Sequence, residues 1–371
     1  MRELQEVRKI DREATKFELK SFIPAMQAIS AKDSRYRVSF VTFISKRPPT
    51  ELFNEWSPDG FSQKTQEHVD FSLVNLRRII KRADIEDGQR EIQGKFIVFG
   101  NQKAGVWTAL TSDDADFFNT GLVRFLELYR PEVSRVYAST DEMRKIFDIL
   151  SQDLRTEVAV QKAVLYSHLE EGEVTFRKGL YRRLFAFAEA EDDYVDKVEF
   201  KLIGNRETLL HAFLARDATF YYYAGRAGLI FSKIVPLVVE VATRKGRLFS
   251  NRARPRGEAV LNPIQIEYEK DVLMSPGDNL RLVRALAKLD RGAVTVYHLN
   301  PYVHVSLVDF VDGSSFNIYS GESDKILIVP NFNCTVHSLM RIHEQINRDF
   351  QEGSLKESAP HDLTLEDFIG A

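Results

Sequence analysis

The sequence predicts a mixed α/β protein of two lobes, in which helices pack on mixed sheets and the C-terminal lobe contains a β-meander that ends in a helix. The chain has 371 residues, more than twice the size of a domain of about 150 residues. Helical and strand periodicities alternate along the chain, and four short β-rich runs follow one another between residues 294 and 329. Apolar residues make up 44% of the chain and the net charge is −3, so the composition implies no general attraction to polyanions.

The predicted division between the lobes lies near residue 153. We predict an N-terminal α/β domain over residues 1–153, a C-terminal α/β domain over 154–352 and a polar, acidic-hydrophobic tail over 353–371. The position of the boundary stays open between residues 140 and 180, because the periodicity in this region fits either a strand or a helix.

Local periodicity and chain breakers define the elements of the first lobe. Apolar side chains at steps of three or four predict helices, whereas β-branched and aromatic runs predict strands. Ser112-Asp113-Asp114 caps one helix, and the acidic pair Asp141-Glu142 lies at the positive end of another. In chain order the predicted elements are a helix over 3–20, a strand over 36–45, a loop over 46–62, a helix over 73–80, two strands over 92–111, a helix over 112–129, a strand over 135–138 and a helix from residue 140.

The elements of the second lobe follow from the same signals. Ser275-Pro276 supplies an N-cap and a proline at the first helical position, and Asp312-Gly313 between two β-rich runs is a strong hairpin signal. In chain order the predicted elements are a strand over 194–203, a strand over 218–223, a buried helix over 230–244, a strand over 264–268, a helix over 276–289, strands over 294–298, 302–311, 314–319 and 325–329, and a helix over 336–350.

A basic arm over residues 243–256 is the strongest local charge asymmetry of the chain. It carries six cations and no acid. Such an arm suits phosphate contacts, and Phe249 together with Tyr221, Tyr222 and Tyr223 would supply aromatic faces for bases. The alternative is a solvated helix end whose cations are favoured by the helix dipole. The predicted nucleic-acid-binding residues are Arg244, Lys245, Arg247, Arg252, Arg254 and Arg256.

The segment Glu199-Phe200-Lys201 resembles the Glu-x-Lys half of a PD-(D/E)xK nuclease site. The resemblance implies a Mg²⁺ or Mn²⁺ ion held by carboxylates, with Lys201 positioning the attacking water. Strand alternation places Glu199 and Lys201 on one face, but the sequence shows no secure upstream aspartate. The alternative is that both residues lie on the exposed face of a half-buried strand.

The segment His304-Val305-Ser306 resembles the H-x-K strand of phospholipase D-like phosphodiesterases, which are α/β folds that attack phosphates with histidine. Ser306 occupies the position of the lysine, and the chain has no second H-x-K. We therefore expect a macromolecule-binding protein that contacts nucleic acid through the basic arm without robust catalysis. The alternative is a nuclease or phosphodiesterase that uses Glu199 with Lys201, or His304.

The tail ends in an acidic-hydrophobic segment after Pro360. This segment loosely resembles a sliding-clamp peptide, with Leu365, Phe368 and Ile369 as the residues that would dock on a protein partner and Asp362 in place of the leading glutamine. The alternative is a strap that packs on its own domain.

Compartment and cofactors follow from what the sequence lacks. The one cysteine, Cys334, has no partner for an internal disulfide, and the charged N-terminus has no apolar signal region. We therefore predict a cytoplasmic protein with no membrane partner. Glycine-rich nucleotide motifs are absent, so no cofactor is predicted apart from the metal ion of the nuclease alternative.

Overall fold

The computed structural model describes residues 19–32, 37–81, 88–168, 172–253, 263–331 and 333–357. Contacts divide the chain into two compact units, of which the first comprises Met1–Ser167 and Gly172–Thr243 and the second His168–Glu171 and Arg244–Ala371. Each unit is built around one antiparallel sheet with helices, which confirms the mixed α/β class. The helix expected over residues 3–20 lies almost entirely outside the described residues.

The first unit is an 11-stranded sheet in the order β2-β3-β4-β5-β1-β11-β10-β9-β7-β8, with β6 paired to β1. Its strands are β1 Val38–Ser45, β2 Phe61–Glu67, β3 Ser72–Lys81, β4 Gln89–Asn101, β5 Val106–Thr111, β6 Val133–Arg135, β7 Glu157–Ser167, β8 Glu173–Leu180, β9 Asp193–Gly204, β10 Glu207–Ala215 and β11 Thr219–Gly225. Its helices are α1 Phe22–Lys32, α2 Pro49–Glu55, α3 Arg124–Glu127, α4 Thr140–Leu154, α5 Tyr181–Glu191 and α6 Ala227–Leu229. The next helix, α7 Val235–Ser250, continues into the second unit, and π-helical segments precede α3 at Phe117–Val123 and α7 at Ile230–Ile234.

Helices cover the two faces of this sheet unequally. On one face, a cluster that includes Phe53 of α2, Phe96 of β4 and Phe125 of α3 buries the strands β1 to β5. On the other face, Phe147 of α4 contacts Phe200 of β9, with ring centroids 4.9 Å apart. The cluster and α4 therefore lie on opposite faces of the sheet.

The sheet continues across the predicted lobe boundary. Residue 153 lies near the end of α4, within the first unit, and the ambiguous region after it forms β7 and β8. The two strands pair with each other and β7 pairs with β9, so the segment after residue 153 belongs to the same sheet as the strands before it.

Two local predictions in the first lobe are wrong. The helix expected over 73–80 is β3, because Leu73 and Val74 are both buried, on opposite faces of a strand held between β2 and β4. The loop expected over 46–62 contains α2, which begins with Pro49 at its first position. Proline has no N–H to lose there, so it starts a helix as readily as it ends a strand.

The second unit is a six-stranded sheet in the order β13-β14-β15-β16-β12-β17. Its elements are β12 Ile264–Glu267, α8 Pro276–Ala287, β13 Gly292–His298, β14 Val303–Asp309, β15 Ser314–Ser320, β16 Lys325–Pro330, α9 Val336–Asp349 and β17 Ser354–Glu357. The predicted N-cap is confirmed, since Ser275 and Asp278 form a capping box. The predicted hairpin turn is also present, with Gly313 at a φ of 75°. The start of the predicted tail is β17, which pairs with β12.

No helix within the described residues is both long enough and apolar enough to cross a bilayer.

Candidate functional site

A row of side chains crosses one face of the first sheet. Register pairs Thr111 with Ser39, Ser39 with Tyr221, Tyr221 with Phe213, Phe213 with Glu199, Glu199 with Lys162, and Lys162 with Arg177. Directly opposed residues of antiparallel strands point to the same side. The row therefore begins with buried hydroxyls at the centre of the sheet, continues through aromatic rings and ends with exposed cations on β7 and on the end strand β8.

The aromatic rings of this row are held in contact with one another. The rings of Phe213 and Tyr221 are stacked, with centroids 4.7 Å apart and an interplanar angle of 16°. The guanidinium carbon of Arg37 lies 4.6 Å from the centroid of Tyr221, and Phe118 packs edge-on against the same ring at 5.8 Å. Tyr223 lies 6.3 Å from Tyr221. The rings are thus oriented before any ligand arrives.

Polar groups lie beside the rings. His211 Nε2 lies 2.8 Å from Glu199 Oε1, and the His211 ring is 4.9 Å from that of Tyr223. Lys201 is the cross-strand partner of His211, so it shares their face. Burial, reinforced by the charge of Glu199, raises the pKa of Tyr223 to about 12. The Tyr223 hydroxyl therefore stays neutral near pH 7 and can donate a hydrogen bond.

The helices α1 and α4, which pack on β11 and β9, lie on the opposite face. Phe147 of α4 contacts Phe200, and Ser30 Oγ of α1 is 2.6 Å from the hydroxyl of Tyr222. Both contacted residues alternate with members of the row and so point away from it. We call Arg37, His211, Phe213, Tyr221 and Tyr223 the aromatic platform; all of them are half-buried. Its flanking cations are Lys162, Arg177 and Lys201.

The described part of the basic arm does not form a single cationic surface. Arg244 and Arg247 are exposed on α7, whereas Lys245 is buried, with 3% of its surface accessible. Arg252 is half-buried, and its Nε donates to the Pro263 carbonyl at 3.3 Å. Phe249, expected among the base-stacking residues, is fully buried. Arg254 and Arg256 lie outside the described residues.

Glu199 and Lys201 share a face, as their alternation in the sequence predicts. Glu199 contacts His211 and lies opposite Phe213 and Lys162, so its immediate neighbours are an imidazole, a ring and an ammonium group. In the parts of the chain that the structure describes, no three His, Cys, Asp or Glu side chains are grouped to hold a metal ion. The nuclease alternative, with its Mg²⁺ or Mn²⁺, stays a prediction.

His304 lies on the outer face of the second sheet. Its ring stacks on Tyr319 at 4.4 Å, and its Nε2 is buried with no hydrogen-bond partner among the described residues. Burial and the neighbouring His298 lower the pKa of His304, so its neutral form is favoured. Asp309, on the same strand, points to the other face, where it pairs with Arg341. The proposed docking residues Leu365, Phe368 and Ile369 lie beyond the described residues.

Sequence patterns alone did not single out Arg37, Lys162, Arg177, His211 and Phe213. A signal existed for His211 and Phe213, because they alternate with buried Leu210, Ala212 and Leu214 as in a half-buried strand. In the sequence, Arg37, Lys162 and Arg177 cannot be distinguished from other surface cations. Only the strand register shows that they lie on the same sheet face as the rings.

Neither protein-family models nor the sequences of curated proteins match this chain. Its function is therefore inferred from the geometry of its own residues.

Proposed function

We propose that the protein binds single-stranded nucleic acid, with bases stacking on the aromatic platform. The observation that carries this proposal is the stacked pair Phe213 and Tyr221, with Arg37 against the Tyr221 ring, on the sheet face opposite to α1 and α4. Aromatic rings and a guanidinium on a partly exposed sheet face are the elements with which proteins hold unstacked bases.

Stacking supplies the affinity. Each base stacked on an aromatic side chain contributes about 1–3 kcal/mol, as measured by alanine substitution. Phe118 and Arg37 already contact Tyr221 from two directions, so binding has little side-chain freedom left to remove. Because every base has a π face, we expect weak preference among sequences. A duplex keeps its bases stacked on each other, so it should bind more weakly than a single strand.

Phosphate contacts supply the charge dependence. Lys162 and Arg177 are exposed on β7 and β8, and Lys201 lies on β9 beside His211. These cations border the platform on one side, where a nucleic-acid strand lying across the sheet would place its backbone. Binding should therefore weaken as salt concentration rises, because each neutralised phosphate releases counterions.

The basic arm is a second and separate part of the proposal. Arg247 is exposed on α7, where it can contact phosphates, and Arg254 and Arg256 add charge to the same segment of sequence. The arm would contribute affinity without sequence preference.

Fluorescence anisotropy with a labelled single-stranded oligothymidine tests the platform. Phe213→Ala and Tyr223→Ala should each weaken binding about ten-fold, in line with the loss of one stacked base. The matched control is Trp56→Ala, which removes a ring that is 52% exposed and lies outside the platform. An unlabelled hairpin duplex should compete less well than an unlabelled single strand.

Two results would count against the proposal. Wild-type protein that binds no oligonucleotide at low salt would refute it, and equal losses for Trp56→Ala and Phe213→Ala would move the site elsewhere. The same mixture tests the nuclease alternative. Cleavage that requires Mg²⁺ or Mn²⁺ and disappears in Glu199→Gln would favour that alternative.

A further inference from the structure

The end strand β13 differs from the other strands that end the two sheets. In the first sheet, β2 carries Lys64 and Glu67, and β8 carries Arg177 and Lys178. In the second sheet, β17 carries Lys356. The sequence of β13, Gly-Ala-Val-Thr-Val-Tyr-His, has no Lys, Arg, Asp, Glu or Pro. Proteins use such residues to prevent a sheet edge from pairing with another chain. This edge lacks them.

Apolar side chains are exposed along the same edge. Val296 is 46% exposed and Tyr297 is 63% exposed. Phe310 follows β14 and is 64% exposed, and its N–H donates to the carbonyl of Arg291, the residue before β13, at 2.8 Å. Valine, threonine and tyrosine are also the residues that favour strand pairing. The edge therefore has two features. Its strand backbone can pair with another strand, and its apolar side chains are exposed to water.

We propose that β13 pairs antiparallel with β13 of a second copy of this chain, about a two-fold axis. In such an isologous contact residue i of one copy meets residue j of the other and j meets i, so residues close to the axis lie near their own symmetry mates. A charged edge such as β8 would place like charges near each other, whereas uncharged β13 meets itself without repulsion. The small exposed residues Ala293 and Thr295 leave space at the centre of the contact. The pairing joins two six-stranded sheets into one continuous sheet.

The size of this contact sets its strength. A bulge between Val296 and His298 limits the regular part of the strand to Gly292–Val296. A contact of one short strand, with Tyr297 and Phe310 at its margins, is smaller than the standard interface of about 1,600 Å². The dimer is accordingly reversible, and its population rises with protein concentration.

Sedimentation equilibrium of the full chain tests this inference. The average mass of wild type should rise from 42.6 kDa towards twice that value as concentration increases. Thr295→Lys should hold the mass at that of the monomer, because two ammonium groups would meet near the axis. Thr175→Lys is the matched control, since Thr175 is an exposed threonine on the end strand β8 of the other sheet. This variant should associate like wild type.

A charge exchange makes the test specific for self-pairing. Thr295→Glu alone should also be monomeric, and an equimolar mixture of Thr295→Lys and Thr295→Glu should form heterodimers detectable by native mass spectrometry. Circular dichroism of each variant confirms that it is folded. The inference is overturned by a wild type that stays monomeric at all concentrations, by a Thr295→Lys that still dimerises, or by a mixture that does not associate. None of these outcomes depends on nucleic-acid binding.

Discussion

The Nη1 atom of Arg341 lies 2.5 Å from Asp309 Oδ1 and 2.6 Å from Oδ2, so one guanidinium nitrogen contacts both oxygens of the carboxylate. Asp309 is fully buried and the Arg341 side chain is 13% exposed. The pair joins α9 to the end of β14, and Ser338 Oγ lies 2.9 Å from the same carboxylate. A charge buried in this way depends on its partner for compensation.

Removing that partner should destabilise the second unit strongly. We expect Arg341→Met to lower the free energy of unfolding by about 3–5 kcal/mol, because the buried Asp309 carboxyl group would lose its compensating guanidinium. The control is Arg77→Met, since Arg77 pairs with Glu91 at 2.7 Å but both side chains are close to half exposed. That variant should lose far less, because an ion pair exposed to solvent contributes little to stability. Chemical denaturation measures the unfolding free energy of both variants. Similar losses of unfolding free energy in the two variants would contradict this prediction.

Asp312 should make stability depend on pH. Burial alone would raise the pKa of Asp312, but hydrogen bonds from Thr335, from Ser314 and from Ser338 outweigh burial and lower it. The pKa of an aspartate in the unfolded chain is about 4, so the ionised Asp312 stabilises the folded state above that pH. This stabilisation is lost as the pH falls through the lower pKa that Asp312 has in the folded state. Asp312→Asn cannot titrate. The difference in unfolding free energy between wild type and this variant should be largest near pH 7 and shrink below about pH 4. A difference in unfolding free energy that does not change with pH would contradict this prediction.

Local chemistry explains which elements were predictable. The capping box of Ser275 and Asp278 and the turn at Gly313 depend on a few neighbouring residues, and both predictions are confirmed. The helix expected over 73–80 is wrong because the pattern is ambiguous. Leu73 and Leu76 are three residues apart, a spacing that fits one face of a helix and also fits a strand that is buried on both faces. Only the neighbouring strands β2 and β4 decide between the two.

The candidate site was predictable only in part. Alternation in the sequence already separates Tyr221 and Tyr223 from Tyr222, and it puts Glu199 beside Lys201. The contact of His211 with Glu199 depends instead on the pairing of β10 with β9, which contains a bulge near Leu210. A shift of one residue in that register would move His211 to the other face. No local pattern determines such a register.

Gly94 should be required where β4 meets the π-helical segment. A Cβ added at Gly94 would lie 2.6 Å from Phe117 Cδ2 and would also meet the Asp113 carboxylate. We expect Gly94→Ala to lower the free energy of unfolding by about 1–3 kcal/mol through overpacking. At Gly172 an added Cβ meets no atom of the described residues within 4 Å, so Gly172→Ala should change stability by no more than about 0.5 kcal/mol. Thermal melts compare the two variants, and equal effects would argue against a close approach at Gly94.

Salt dependence should separate the phosphate contacts of the platform from those of the basic arm. We expect the triple variant Lys162→Gln, Arg177→Gln, Lys201→Gln to reduce the slope of log affinity against log salt for a single strand by up to about 2, because each phosphate that is no longer neutralised lowers the slope by about 0.7. The arm variant, with Gln at positions 247, 252, 254 and 256, should flatten the slope as well if the arm contacts phosphates.

The matched control for the platform cations is Lys64→Gln. Lys64 is an exposed lysine of the same sheet, and it lies opposite Asn75, on the face away from the platform. Its removal should leave the slope unchanged, because net charge alone changes a local contact little at physiological salt, where the Debye length is about 8 Å. The slopes of the two multiple variants then show independently which cations neutralise phosphates. If the platform triple variant keeps the wild-type slope while Phe213→Ala still weakens binding, the rings contact the ligand and its phosphates lie elsewhere.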